Sequence, residues 1–291
     1  MIENTVTNRA EILEGLANYR KHVAARNRYA LEQYVRLAET AEPNDLVADL
    51  DEAAIAEERM RFLEYFVGQG FDRLAGGREL KRPADLLAHY DEVAPQLGLD
   101  GTCRPCSLSE ADRRLNREAY VAAIEAYLRA HCRASVRDGI AFPAELLVVA
   151  EQVDCLHGPG LEPEREQQGI PFWTMLDLQK TPQLVVEPDE LAGASSLVEV
   201  SDLEVAAGWN CGHGYPGDAY VLLCREPPAE ADDKDNDDAR PWSWKYTVDI
   251  DFAARLFHSI PEFLEAYKDI CAVDTAVYPE YGVEDVFGGV P

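Results

Sequence analysis

Ile12, Leu16, Tyr19 and Val23 follow one another at intervals of four, three and four residues, and Leu31, Tyr34, Val35 and Ala38 resume the pattern. Apolar residues recur in this way when a helix of 3.6 residues per turn keeps one face on a core. The stripe predicts one long helix, started by Asn8 or Thr7 as a cap and ended by Pro43. A second helix is expected from about Asp51 to Leu74, with Ile55, Phe62, Leu63, Phe66 and Val67 inward and Gly76-Gly77 as its stop. Pro83 opens a third. Ser109, followed by Asp112, caps a fourth that runs through Leu115, Ala119, Ala122, Ala126 and Ala130 toward Asp138-Gly139. The ordinary explanation of such stripes is mutual burial, so residues 1–138 read as a helical bundle.

Past Gly139 the periodicity changes. Pro143 leads the short apolar helix AELLVVAEQV, and CLHGPGLEPEREQQGIP follows as a turn-rich loop. Four runs have strand composition: QLVVE (183–187), SLVEVSDLEVA (196–206), AYVLLC (219–224) and WKYTVDI (244–250). Trp242, Trp244 and Tyr246 alternate, so they share one face of a strand, where packing on a sheet is the expected role. Ser259-Ile-Pro-Glu262 is a capping box for a last helix carrying Phe263, Leu264, Tyr267 and Ile270. The expected fold class is α+β, divided into a helical domain (1–138), an α+β domain with a mainly antiparallel sheet flanked by helices (139–278), and a peripheral C-terminal tail (279–291).

Charge separates the two halves further. Of the net −27, residues 1–138 carry 19 Lys/Arg against 24 Asp/Glu, whereas residues 139–291 carry 8 against 30. The later half repels nucleic acid and anionic membranes, both of which need a positive surface, and favours a basic protein partner. The apolar runs are far shorter than the roughly 20 residues that cross a bilayer. The first residues lack the basic and apolar regions of a secretory signal. Seven cysteines without an export signal point to free thiols in a reducing, cytoplasmic setting.

The motifs that could carry chemistry are few. Cys103 and Cys106 form one CxxC, but adjacent His131 and Cys132 diverge by about 100° on a helix, so a zinc site is not expected. Asp233, Asp235 and Asp237 match the first ligands of a calcium loop. Asp238 stands where that loop needs glycine and Trp244 where it needs glutamate, so a solvated hairpin insertion is expected, without metal or other cofactor. The stretch GWNCGHGYPGDAYVLLCRE (208–226) holds Cys211 and His213, yet a cysteine nucleophile needs a histidine brought from elsewhere and a third group to orient it. A glycine-rich loop feeding a central strand, anchored by burial of Trp209, explains more of its residues.

From Gly139 onward the order of features resembles the SUKH superfamily, which includes fungal cell-wall-synthesis regulators and bacterial toxin-immunity proteins. FPAELLVVAEQVDCLHGPGL (142–161) is similar to its proline-led helix and glycine-containing loop. The 208–226 stretch is similar to its glycine-rich lead into a strand, and WSWKYTVDIDFAARLFHSIPEFLEAY (242–267) to its strand and serine-capped helix. The acidic insertion between the last two resembles fungal members. The resemblance spans roughly 130 residues and implies protein binding without chemistry. The expectation is a non-enzymatic interaction module, as a regulatory scaffold or in an immunity role. Its contact residues would be Asp232, Asp233, Asp235, Asp237 and Asp238 of the insertion, then His213, Tyr215 and Asp218. The helical half would serve as a second contact surface or a homo-oligomerisation unit. The alternative is an enzyme of unrecognised type, using Cys211 and His213 with His157 or Asp218 in an interdomain cleft.

Overall fold

A computed structural model of the chain describes residues 2–3, 8–67, 74, 80–103, 109–156, 158, 160–161, 170–171, 203–213, 218–226, 240–250, 253–270 and 285–288. Helix α1, Arg9–Thr40, is the rod that the apolar stripe predicts, about 48 Å long at 1.5 Å per residue. The Asn8 side chain caps it by accepting from the Glu11 amide at 3.4 Å. Its stripe divides between two cores. Ile12, Leu16, Tyr19 and Val23 pack toward a β-sheet, while Ala30, Leu31, Tyr34, Val35 and Ala38 pack among helices.

The second of these cores is built with α2 (Glu52–Val67) and α3 (Pro83–Ala88), which leads into the single turn α4 (Tyr90–Val93). Asp51 Oδ1 accepts from the Ala54 amide at 2.9 Å and so starts α2. Tyr34 stacks on Phe66 with ring centroids 3.9 Å apart, and Phe62 meets Phe66 edge-on. Buried Asn27 ties α1 to two loops, donating to the Leu99 carbonyl at 2.9 Å and accepting from the Gly160 amide at 2.8 Å.

Helix α5, Glu110–His131, starts on Ser109 as expected, whose Oγ accepts from the Asp112 amide. Its buried face is not the alanine row, however. Leu115 is 57% exposed, and Tyr120, Ile124 and Leu128 are the apolar residues turned inward. Alanines favour a helix without deciding which side is covered, and the bulky residues bury more apolar area per turn. These three residues belong to the sheet-side core, and the Trp209 indole N–H donates to the Tyr120 hydroxyl at 3.2 Å. A 3-10 turn, Arg137–Gly139, and α6, Ala144–Ala150, follow. Buried Arg113 of α5 pairs with buried Asp154 beyond α6.

Among the described residues there are two sheets. The short strands β1 (Thr102–Cys103), β2 (Cys155–Leu156) and β3 (Ile170–Pro171) pair antiparallel in that order. The larger sheet is an antiparallel meander of β4 (Glu204–His213), β5 (Asp218–Arg225), β6 (Ser243–Ile250) and β7 (Ala253–Phe257). The chain is therefore α+β, with helices through its N-terminal region and a four-stranded antiparallel sheet beyond. The sheet turns Trp209, Val221, Leu223, Tyr246 and Val248 to the core shared with α1, α5 and α6, and Val205, Leu222 and Cys224 to the opposite side. Trp242 and Tyr246 are buried and Trp244 is half-buried, so this aromatic row packs as expected.

Helix α7, Ile260–Ile270, closes the sheet-side core. Ser259 Oγ accepts from the Glu262 amide at 3.3 Å, while the Glu262 carboxylate accepts from the His258 amide at 2.7 Å, one residue earlier than a strict capping box. Phe257 of β7, Phe263 and Tyr267 of α7, and Tyr19 of α1 form a continuous row of ring contacts.

Three local expectations change. Gly208 to His213, read as loop, lie in β4. Register shifts at Val205/Ala207 and Asn210/Gly212 absorb the irregularity, and Gly208 and Gly212 pair with Leu222 and Ala219. Strand β7 had no separate signal. Within the tail expected to be peripheral, α8 (Asp285–Gly288) buries Val286 and Phe287 in the helical core beside α2. The sheet-side core takes residues from both sides of position 138. The runs 183–187 and 196–202 lie outside the described residues.

Candidate functional site

The residues singled out from the sequence fall at two ends of one strand. His213 and Asp218 are a backbone register pair and close the β4–β5 hairpin. At the far end of β5, Arg225 leads into the connection that carries the acidic run before β6. Eight residues of extended chain put the two ends roughly 25 Å apart. The hairpin end of β5 and the end from which the acidic run departs are therefore well separated. Tyr215 and Asp232, Asp233, Asp235, Asp237 and Asp238 themselves lie outside the described residues.

The strand ends that flank the acidic connection are tied together. Arg225 donates to Glu204 of the neighbouring strand at 2.8 Å through Nε, and its guanidinium stacks 4.3 Å from the centre of the buried Trp242 ring. Arg133 reaches the same ring at 5.8 Å. Both cations thus hold the buried Trp242 ring at the base of the connection, and Arg225 ties it to β4 through Glu204.

Cys211 lies in β4 and is 6% exposed. Leu146, Val149, Ile260 and Phe263 surround it in an apolar cavity of about 20 Å³, room for about one water and none for a substrate. His157, proposed as its partner in the enzymatic alternative, lies outside the described residues. His131 stacks on Tyr127 at 3.9 Å, and Cys132 is buried with its Sγ near the Arg129 carbonyl. Cys106 lies outside the described residues. Among those described, no group of three or more His, Cys, Asp or Glu side chains converges in a metal-binding arrangement.

A second cavity, of about 180 Å³, opens between the sheet and the segment leading into α6. Residues 2–3 run along its edge, where the Glu3 amide donates to the Trp242 carbonyl at 2.7 Å and Ile2 forms a parallel bridge with Trp242. Phe142, Trp244 and Tyr246 are its aromatic lining residues, and Glu3 and Glu145 its acidic ones. Glu145 is only 8% exposed. Its Oε2 accepts from the Ile260 amide at 3.0 Å, starting α7, and its carboxylate takes the Tyr246 hydroxyl. Burial holds the Tyr246 hydroxyl well above its usual range, and the Glu145 charge, the hydrogen bond to it and Cys211 add to that effect. Burial likewise raises the Tyr120 hydroxyl.

Sequence reasoning passed over Glu145. The available signal was one carboxylate in an apolar helix, AELLVVA, where an acidic side chain is seldom buried without partners. Comparison with models of protein families, with curated proteins and with solved structures gave no match. Among the described residues, no helix is long and apolar enough to cross a membrane.

Proposed function

We propose that the protein is a non-enzymatic interaction module whose acidic later half docks a basic protein. The observation that carries this reading is the excess of 30 Asp/Glu over 8 Lys/Arg in residues 139–291, against near balance before them. Potential of one sign steers an oppositely charged partner into encounter and selects against anionic ones. The ties of Arg225 to Glu204 and Trp242 support the reading, because they anchor the strand end that the acidic run follows in sequence. The SUKH resemblance of residues 139–278 supports it as well, because that likeness implies protein binding without chemistry. A regulatory scaffold and an immunity protein would both use such a surface.

The test replaces Asp232, Asp233, Asp235, Asp237 and Asp238 together by Asn. Binding is measured to the basic protein that the intact chain retains from its source extract and releases in salt. Association at 20 mM salt should slow on the order of tenfold, and the difference should vanish near 500 mM as screening removes the steering. Equal association rates at low salt would defeat the reading.

A further inference from the structure

From the cavity between Phe142, Trp244 and Tyr246 we infer a binding site for a single guanidinium group, the arginine side chain of the docking protein. Its aromatic surface suits a flat cation, which is attracted to ring faces and stacks on them. The charged residues in its lining, Glu3 and Glu145, are both acidic. Glu145, more than nine-tenths buried, has no Lys or Arg partner among the described residues, and Glu3 stands at the edge. A carboxylate offers about four acceptor positions, and the Ile260 amide and the Tyr246 hydroxyl take two of them. The remaining positions suit the paired N–H donors of a guanidinium.

A desolvated carboxylate gains more from an arriving cation than an exposed one, because water screens less of the attraction. The cavity volume of about 180 Å³ admits a guanidinium with the first carbons of its stem. An arginine presented on a protein surface fits that volume, and the net charge of −27 favours its approach. The source of the cation rests on the docking function proposed above; the chemistry of the pocket does not.

Ethylguanidinium is the probe and N-ethylurea its uncharged counterpart, both titrated calorimetrically into the full chain at constant ionic strength. One saturable site should hold the cation at least ~10-fold more tightly than the urea. Glu145→Gln keeps an oxygen for the Ile260 amide but removes the charge, and should weaken the cation ~10-fold or more. Because that variant also touches the start of α7, two others decide the matter if it fails to fold. Glu3 and Ala144 are exposed at the cavity. Glu3→Gln should weaken binding about 2-fold to 3-fold through a more screened charge, and Ala144→Phe should fill the cavity mouth and abolish binding without altering net charge. Equal titration of cation and urea, or an isotherm unchanged by both Glu3→Gln and Ala144→Phe, would overturn the inference. The five-Asn variant, which tests docking, should leave this isotherm unchanged, so failure of either proposal can be told from failure of the other.

Discussion

A thiol in a sheet shows how local surroundings set behaviour that residue type alone does not. Cys224 is buried on the side of β5 that faces away from α1, beside Val205 and Leu222. Burial raises it to about 12, against a nearby Lys245 that works the other way. Cys132, Cys155 and Cys211 are also buried and free of disulfides. A folded-state pKa above the unfolded 9.0 means that the unfolded chain releases its proton first as pH rises. The stability from neutral Cys224 is therefore complete below about pH 9 and lost toward pH 12. Urea titrations from pH 8 to 11 should show a shallower decline in Cys224→Ala than in the parent chain, and an identical slope would refute this. The same burial bears on Cys211, since a catalytic thiol should be exposed enough to alkylate quickly near neutral pH.

Among the elements, α1 and α7 cross at a residue that offers little by itself. Gly15 lies where α1 crosses α7, and a Cβ there would meet Pro261 Cα at 3.6 Å and Leu264 Cδ1 at 3.7 Å. Those are ordinary contact distances, so the glycine is not required for the crossing. Alanine would relieve the entropic cost of glycine within a helix. Gly15→Ala should therefore stabilise the protein by about 0.5–1 kcal/mol in urea unfolding; a loss of that size would show the crossing to be tighter than these distances. Periodicity made α1 legible before any coordinates, and cap residues made both ends of the chain's helical pattern legible through Asn8, Ser109 and Ser259. Periodicity was less useful for α5, whose alanines mark a face as readily as Tyr120, Ile124 and Leu128 do. It was also uninformative for Gly208 to His213, where the ladder to β5 outweighs the local preference of glycine for turns.

For the molecule as a whole, one rod serving two cores has a thermodynamic consequence. The early turns of α1 cannot keep their partners in the sheet-side core while its later turns are released without cost, because helix formation is cooperative along the chain. Phe66→Ala in the helical core should cost about 3–5 kcal/mol. The loss should also appear in fluorescence from Trp209, Trp242 and Trp244, all on the sheet side, as an earlier single transition with an unchanged slope against urea. A sheet-side midpoint that stayed in place would mean that the two cores unfold independently.

What the chain alone determined was whatever is written in near neighbours: the long helix, its caps, three of the four meander strands in part or whole, the α+β class and the lopsided charge. What tertiary structure decided was which of several eligible faces became covered, that Val286 and Phe287 return to α2, and that Glu145 holds Ile260 and Tyr246 beside an aromatic cavity. Helical period and capping depend on residues within a few positions of one another. Contacts across more than a hundred positions, such as Glu145 with Ile260 or Asn27 with Gly160, exist only once the backbone has brought them together.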